Sequence, residues 1–555
     1  MKTKWVWGFC LLLMGGHQVS FSQADKYWVH FADKADAAAW KPADALSQRS
    51  LERRERQGLE LQPSDRPVTR AYIETVSQTG AKVLHASKWL NAVSVRMDAT
   101  AAARVRALPF VREVGRIPVV IKDYDAPSGS PTSRAGYNSG LTQQQLEMVG
   151  LDKLHQNGYN GQGVLISVMD DGFRDADKNP HLAHLLQTNR IVATHDFVHG
   201  DGNVYDEGNH GQYVLSILAG WDEGSSSPEN WFYGSAHGAS FILCHTEDNS
   251  REVSQEEDNW VAAMEYADSI GADVFSTSLG YRSFDGGGGY TYADMDGNTT
   301  IITRAADMAA SKGILVVNSA GNYGASKLLA PSDGDSVMSV GAVDSYRVLA
   351  GFSSWGPSAD GRIKPDISAM GVDVSYLTSM GFPSSGDGTS FSCPIASGLA
   401  ACLLQSAPHT PNMVLYDAII RSSDRYANPD TFYGYGIPDA TIAYKLLTGN
   451  DLPTAFPDAR VSASGMAIYP NPATDHFSLA IDNEVPPCDC QLEVVDMVGR
   501  TVWTKPLVIG SFYNVFQFTR SEDFGHLPAG RYGLLVRDGE GNTRHFAKIT
   551  LLNQR

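Results

Sequence analysis

The sequence predicts an α/β domain built on a parallel sheet, preceded by a small α+β unit and followed by a small all-β sandwich. Three observations carry this. In the middle of the chain, short apolar runs alternate with stretches of helical periodicity, the pattern of strand–helix–strand units. Near the C-terminus the helical periodicity stops, and short strands separated by turn residues take over. Two Pro-, Gly- and Ser-containing linkers, 123–140 and 450–465, divide the 555 residues into units of ordinary domain size.

The N-terminus reads as a secretory signal over residues 1–22. Lys2 and Lys4 give it a charged start, Val6 to Met14 an apolar core, and Ser20-Phe21-Ser22 a small-x-small cleavage site. The apolar run is too short to span a bilayer, and no later segment reaches about 18 apolar residues, so an exported chain without a transmembrane helix is expected. Residues 23–122 follow as the α+β unit. "KYWVHFAD" is a strand, Ala35 to Gln57 is helical, and "AKVLHASKWLNAVSVRM" gives two strands around Trp89-Leu90-Asn91. "TAAARVRALPFVREV" adds a second helix and a closing strand. The tether after it, Tyr124 to Gly140, is rich in Gly, Pro and Ser and reads as exposed and readily cut.

The central unit spans 141–449. "VLISVM", "SFILCH", "ADVFSTSLG" and "GILVVNSAG" read as buried parallel strands. "QEEDNWVAAMEYADSIG" and "NTTIITRAADMAASKG" read as helices with a Gly suited to the C-cap. In such a sheet, function gathers at the carboxyl ends of the strands. Residues 466–555 then give six or seven short strands, among them "HFSLAI", "QLEVVDMVGRTVW" and "GRYGLLVRDGEGN".

The formal net charge is −18, with a pI near 5.2. No basic stripe is present to neutralise phosphates, which excludes a nucleic-acid partner. The one basic cluster, Arg49 to Arg56, is interleaved with Glu52 and Glu55 and reads as a solvated helix face. Cys10 lies within the signal. Cys244, Cys393 and Cys402 read as buried free thiols. Cys488-x-Cys490 is too close for an easy mutual bridge and receives no role.

The stretch "GDGTSFSCPIASGLAACLLQS" places Ser390 where an apolar helix begins. Ser390 is either an ordinary N-cap or a nucleophile at a positive helix end. Three other element ends carry polar residues that a core would not select: Asp170 in "VMDDGF", His210 in "GNHGQYVLSILAG" and Asn322 in "VVNSAGN", where it closes a strand. Each alone has a bland structural explanation. Together they supply what acyl transfer needs: a hydroxyl, a base, a carboxylate to orient the base and a donor for the oxyanion. The chain order Asp, His, Ser separates them from the other known triad arrangements, and "GTSFS" lacks the last Gly of an esterase elbow.

Here the sequence resembles the subtilisin-like serine proteases. "VMDDGF" resembles the family's Asp motif, "HGQYV" its His-Gly motif, "SAGN" its oxyanion motif and "GTSFSCP" its nucleophile motif. The resemblance implies a triad of Asp170, His210 and Ser390, with Asn322 as the oxyanion amide. It also implies a substrate-binding edge at Ser278, Leu279 and Gly280, a secreted endopeptidase acting on protein or peptide substrates, and no required cofactor. The chain departs from the family pattern at Asp171, Gln212 and Tyr213, which read as altered packing beside an intact site. Residues 23–122 resemble the family's pro-domain, and 466–555 the sorting domain of the type IX secretion system of Bacteroidetes. These imply a monomeric pro-enzyme carried through the periplasm and the outer membrane to the surface or the medium. The alternative is a catalytically inactive peptide-binding or adhesion protein on the same fold. In "YADMDGNTT", Asp294, Asp296 and Asn298 alternate as calcium ligands often do, although Ala305 at the twelfth position excludes an EF-hand. An ordinary His210 would make activity fall as pH drops through roughly 6 to 7.

Overall fold

The computed structural model describes residues 25–35, 40–117, 140–222, 230–248, 254–282, 289–326, 328–452, 466–469, 473, 476–481, 488–509 and 514–552. The expected signal, most of both linkers and most of the Asp285–Gly289 run lie outside them.

In the N-terminal unit, β1 (Asp25–Phe31), β2 (Lys82–Ser87), β3 (Ala92–Met97) and β4 (Val111–Ile117) form an antiparallel sheet in the order β2-β3-β1-β4. Among the described residues three α-helices accompany it: α1 (Gln48–Arg56), α2 (Arg70–Gln78) and α3 (Ala99–Arg106). Helix was expected over 35–57. The structure starts α1 only at Gln48, because Pro42 opens a single 3₁₀ turn and Ser47 caps α1 by accepting from Ser50 N–H at 3.2 Å. The sequence reading also missed α2, whose apolar stripe is only three residues long. Alternation in β1 sends Val29 and Phe31 into the unit's own core and Trp28 to the opposite face.

That opposite face is not solvent. Trp28, Trp89, Leu90 and Ala92 join one apolar cluster with Trp260 and Met264 of α8 (Gln255–Ile270) and Ile302 and Ala306 of α9 (Ile301–Ser311). Nor is α1 a solvated face. Arg53 and Arg54 are buried, and both bind Asp268 of α8, Arg53 with its side chain fully enclosed. Lys26 pairs with Asp258 at 2.8 Å, and Lys88 with Asp268 at 3.3 Å. Glu265 accepts from Ser87 Oγ, Lys88 N–H and Trp89 N–H at 2.5, 2.9 and 3.1 Å. The interleaved Glu52 and Glu55 concealed this, since the sequence cannot show that carboxylates of another unit wait for the arginines.

The central sheet has seven strands, all parallel: β5 (Leu165–Asp170), β6 (Ile191–Asp196), β9 (Ser240–His245), β10 (Val274–Thr277), β11 (Leu315–Ser319), β12 (Val337–Val343) and β13 (Ile367–Met370). Their order is β13-β12-β11-β10-β5-β9-β6. Short antiparallel pairs lie outside it, β7 (Trp221–Asp222) with β8 (Phe232–Tyr233) and β14 (Val374–Leu377) with β15 (Pro383–Gly386). Both faces are covered. Ile166 and Val168 of β5 pack toward α7 (His210–Ala219) and α10 (Thr389–Ser406), whereas Leu165 and Met169 pack toward α8 and α9. Small residues let α10 sit centrally: a Cβ on Gly398 would lie 2.2 Å from Ser235 Oγ. Cys244, Cys393 and Cys402 are free and buried, as the sequence reading held.

The C-terminal region is all-β. β16 (Met466–Tyr469), β17 (His476–Ile481) and β20 (Asn514–Thr519) form one antiparallel sheet. β18 (Cys488–Val495), β19 (Thr501–Ile509), β21 (Gly530–Arg537) and β22 (Thr543–Leu551) form the other. Phe477, Leu479 and Phe518 face Leu492, Leu534 and Val536 across a shared core. Cys490, given no role from the sequence, is disulfide-bonded. Among the described residues no helix is long and apolar enough to cross a membrane.

The buried ion network makes a direct prediction. Removing one partner of a buried pair costs about 3–5 kcal/mol, whereas an exposed pair contributes about 0–1. Arg53→Met should lower the urea midpoint of the full chain, toward the lower end of that range because Arg54 and Lys88 still face Asp268. Arg70→Met, in an exposed pair with Glu74, should leave it unchanged. Equal midpoints for the two variants would refute the assignment.

Candidate active site

The polar residues singled out in the sequence converge at the carboxyl edge of the sheet. Asp170 is the last residue of β5, His210 the first of α7, and Ser390 the second of α10. Ser278 to Gly280 follow the end of β10. Asn322 stands in the loop after β11 rather than closing it, since that strand ends at Ser319.

The Asp170 side chain is fully buried, and its Oδ1 lies 2.6 Å from His210 Nδ1. A carboxylate only accepts, so Nδ1 carries the proton and Nε2 is the free nitrogen of a neutral ring. The close approach depends on Gly211. A Cβ there would lie 2.3 Å from Gly172 O and 2.7 Å from Asp170 Cβ. Asp171, expected only to alter packing, caps α7: its carboxylate accepts from Gly211 N–H at 2.9 Å and His210 N–H at 3.4 Å. Burial and the charge of Asp170 push Asp171 up to about 6. Burial alone would lower the pKa of His210. The charge and hydrogen bond of Asp170, with the charge of Asp171, outweigh burial and push it up to about 9.

Asn322 is oriented by Thr389. Its Oδ1 accepts from Thr389 N–H and from Thr389 Oγ1, each at 2.9 Å. The amide therefore turns Nδ2 toward the start of α10, 3.5 Å from where a Cβ of Gly388 would stand. The Thr389 hydroxyl also accepts from Gly321 N–H at 3.1 Å, which ties the two loops together. Thr389 is visible in the Gly-Thr-Ser motif, but this orienting contact has no signal in the sequence. Ser278 Oγ donates to Ser390 O at 2.8 Å, and Ser390 Oγ donates to Ser278 O at 3.4 Å. A stacked aromatic line runs from His210 to Phe391 at 6.1 Å and on to Tyr376 at 5.5 Å, and Tyr213 lies 4.4 Å from Tyr376. Gln212 donates to Thr378 O at 3.4 Å. Cys393, three residues past Ser390, is held as a thiol, since burial pushes it up to about 12.

Asp294 and Asp296 serve their own turns. Asp294 Oδ2 accepts from Thr291 N–H and hydroxyl, and Asp296 from Asn298 N–H and from Thr299 N–H and hydroxyl. Neither belongs to the two clusters of three or more metal-ligating side chains among the described residues.

Residues 161–436 match the model of the subtilase family. This segment is a subtilase domain. Residues 26–129 match a peptidase S8 propeptide domain of Bacteroidota, and 467–549 a secretion system C-terminal sorting domain. The chain is 28% identical over 338 residues to a thermophilic serine proteinase of Bacillus sp. (strain AK1), covering 60% of this chain and 77% of that protein. It is 26% identical over 370 residues to subtilisin E of Bacillus subtilis (strain 168), covering 66% and 83%. The chain is thus a serine endopeptidase of the subtilisin type with an N-terminal propeptide, and its sorting domain directs it to the cell surface or beyond.

The raised His210 moves the pH expectation. With His210 as general base, the ring must be neutral, so the acid limb of kcat/KM should stand on the alkaline side of neutrality rather than between 6 and 7. Asp171→Asn keeps an acceptor for Gly211 N–H and removes a charge. The limb should then move to lower pH by roughly 1 unit, as follows from losing a nearby carboxylate. A limb that stays fixed in the variant would show that Asp171 does not act on the base.

Proposed function

We propose that the chain is a secreted pro-enzyme that cleaves peptide bonds through an acyl-enzyme on Ser390. The observation that carries this reading is the 2.6 Å pair of His210 Nδ1 with buried Asp170, set beside a helix start toward which Asn322 Nδ2 is turned. Asp170 fixes the ring and its tautomer. His210 Nε2 takes the Ser390 proton as Oγ attacks the scissile carbonyl, and returns it to the leaving amine. The Ser390 N–H at the N-terminus of α10 and the Asn322 amide meet the oxyanion. Water then repeats the sequence on the ester. The Ser390–Ser278 bond is long enough to be given up when substrate arrives, since such hydroxyls often align only in the complex. The Ser278–Gly280 backbone offers an edge on which extended peptide adds as a strand, which favours broad sequence tolerance. The sorting domain would engage the type IX machinery.

A fluorophosphonate probe should label Ser390 in the processed protein. A folded, processed sample that takes no label would favour the inactive peptide-binding alternative. Asn322→Ala should lower kcat by about 10²–10³, the loss known when a subtilisin loses its side-chain oxyanion donor, with KM nearly unchanged. A loss confined to KM would assign Asn322 to substrate binding instead.

If the N-terminal unit occupies the cleft, its tether passes Ser390 of the same chain at high effective concentration, so maturation should be autocatalytic. Ser390→Ala, made in a host without a protease able to cut the tether, should accumulate at the mass of the uncut form. A mature N-terminus appearing at the parent's rate would assign the cut to another enzyme.

A further inference from the structure

Besides the catalytic cluster, one other group of three metal-ligating side chains converges among the described residues: Asp196, His199 and His245, with ligand atoms all within 4.8 Å of one another. Asp196 closes β6 and His245 closes β9, and the two are register partners on neighbouring parallel strands. The turn after β6 brings back His199, because Asp196 Oδ1 accepts from Val198 N–H at 2.7 Å and His199 N–H at 2.8 Å. The other oxygen, Oδ2, faces two imidazoles at once. His199 Nδ1 and His245 Nδ1 each lie 2.9 Å from it.

The tautomer of His245 shows what this arrangement demands. Its Nε2 is 2.8 Å from Glu247 O, a carbonyl that can only accept, so Nε2 carries a proton. In a neutral ring, Nδ1 then bears a lone pair aimed at a carboxylate lone pair. That repulsion must be relieved by a second proton or by a cation. A second proton makes a buried imidazolium, whereas one divalent cation satisfies both Nδ1 atoms and Oδ2 together.

We infer that Asp196, His199 and His245 form a binding site for a divalent transition-metal ion, with zinc the best match. Two imidazoles and a carboxylate suit zinc, nickel or copper and not calcium or magnesium, which take all-oxygen sites. The hydrogen bond of His245 Nε2 to a backbone carbonyl is the outer support that metal-bound histidines use. Asp196 and His245 are 1% exposed and His199 is 51% exposed, so the site is walled by the sheet and open on one side, where water completes four-coordination. On binding, the ion displaces the Nδ1 proton of His245, which leaves to solvent while Nε2–H stays on Glu247 O, and His199 binds as its Nε2–H tautomer, so both rings remain neutral. The site bears on catalysis only through support. His245 is the register partner of Asp170, and Thr246 N–H donates to Asp170 O at 3.0 Å. An ion that pins β6 to β9 therefore also steadies the end of the strand that carries Asp170.

The test uses the full chain carrying Ser390→Ala, so that no self-cleavage interferes, after stripping with a chelator and dialysis. Titration calorimetry with zinc chloride should give one site, and zinc should raise the melting temperature where calcium does not. Cobalt(II) at one equivalent should give the intense visible bands of a four-coordinate site. His199→Asn changes an exposed ring and should fold normally while weakening zinc by at least about tenfold. His245→Asn should abolish the site, and His181→Asn, a half-buried histidine that faces Asp222 elsewhere, should leave it intact. Zinc affinity unchanged in His199→Asn, a cobalt spectrum of weak six-coordinate bands, or equal responses to zinc and calcium would each overturn the inference.

Discussion

The structure turns on a carboxylate with no access to water. Asp170 is fully buried at the end of β5, and a buried charge is tolerated only when hydrogen-bonded and paired. Its nearest partner is His210, which belongs to another element and must arrive at 2.6 Å. That distance dictates the glycine that follows His210, because any side chain at 211 would strike Asp170 and Gly172 O. It dictates the docking of α7 against the sheet edge, which the Asp171 carboxylate completes from the strand side. The proposed chemistry rests on the same constraint: a neutral imidazole with Nδ1 committed to Asp170 keeps its other nitrogen as a free acceptor.

The N-terminal unit shows how a second charge problem is solved between units. Helix α8 exposes Asp258, Glu265 and Asp268 toward its partner, and these groups meet Lys26, Lys88, Arg53, Arg54 and two backbone N–H groups. Apolar burial around Trp28, Trp89 and Trp260 surrounds the polar contacts and strengthens them by excluding water. A propeptide held this way is specific, because a misplaced unit would strand several buried charges. It also couples the stability of the zymogen to ionisation: Asp268 loses by burial but is held below the usual carboxylate range by Arg53, Lys88 and Arg54. Stabilisation from that depressed carboxylate is present above its unfolded value near pH 4 and fades as pH falls through the folded value.

The departures from the family pattern fall together. Asp171, Gln212 and Tyr213 all lie where β5 meets α7. Asp171 supplies the helix cap and an additional charge, while Tyr213 extends an aromatic line through Tyr376 and Phe391 to His210. These features were visible as letters in the sequence and illegible as interactions. A carboxylate two elements away from the amide it caps leaves no periodic trace, and neither does a ring that stacks on a residue from a distant strand.

What the sequence by itself determined was the class of each unit, the strands of the inner sheet and the family of the central domain. Buried parallel strands are continuous apolar runs, and helix ends announce themselves through glycine and capping residues, both local signals that survive in one dimension. Asp170, His210, Ser390 and Asn322 stood out as candidates because acyl transfer tolerates few substitutes and their chain order is distinctive, and the fold gathers them at one sheet edge. Tertiary structure alone decided the rest. The shortened α1, the missed α2, the edge strands β6 and β13 and the neighbouring β12 have weak local patterns and gain their stability from packing. The burial of Arg53 and Arg54, the cap from Asp171, the alignment of Asn322 by Thr389 and the meeting of Asp196 with His245 all join residues far apart in the chain. Their energies come from removal of water and from geometry at a few ångströms, and only the folded molecule fixes either.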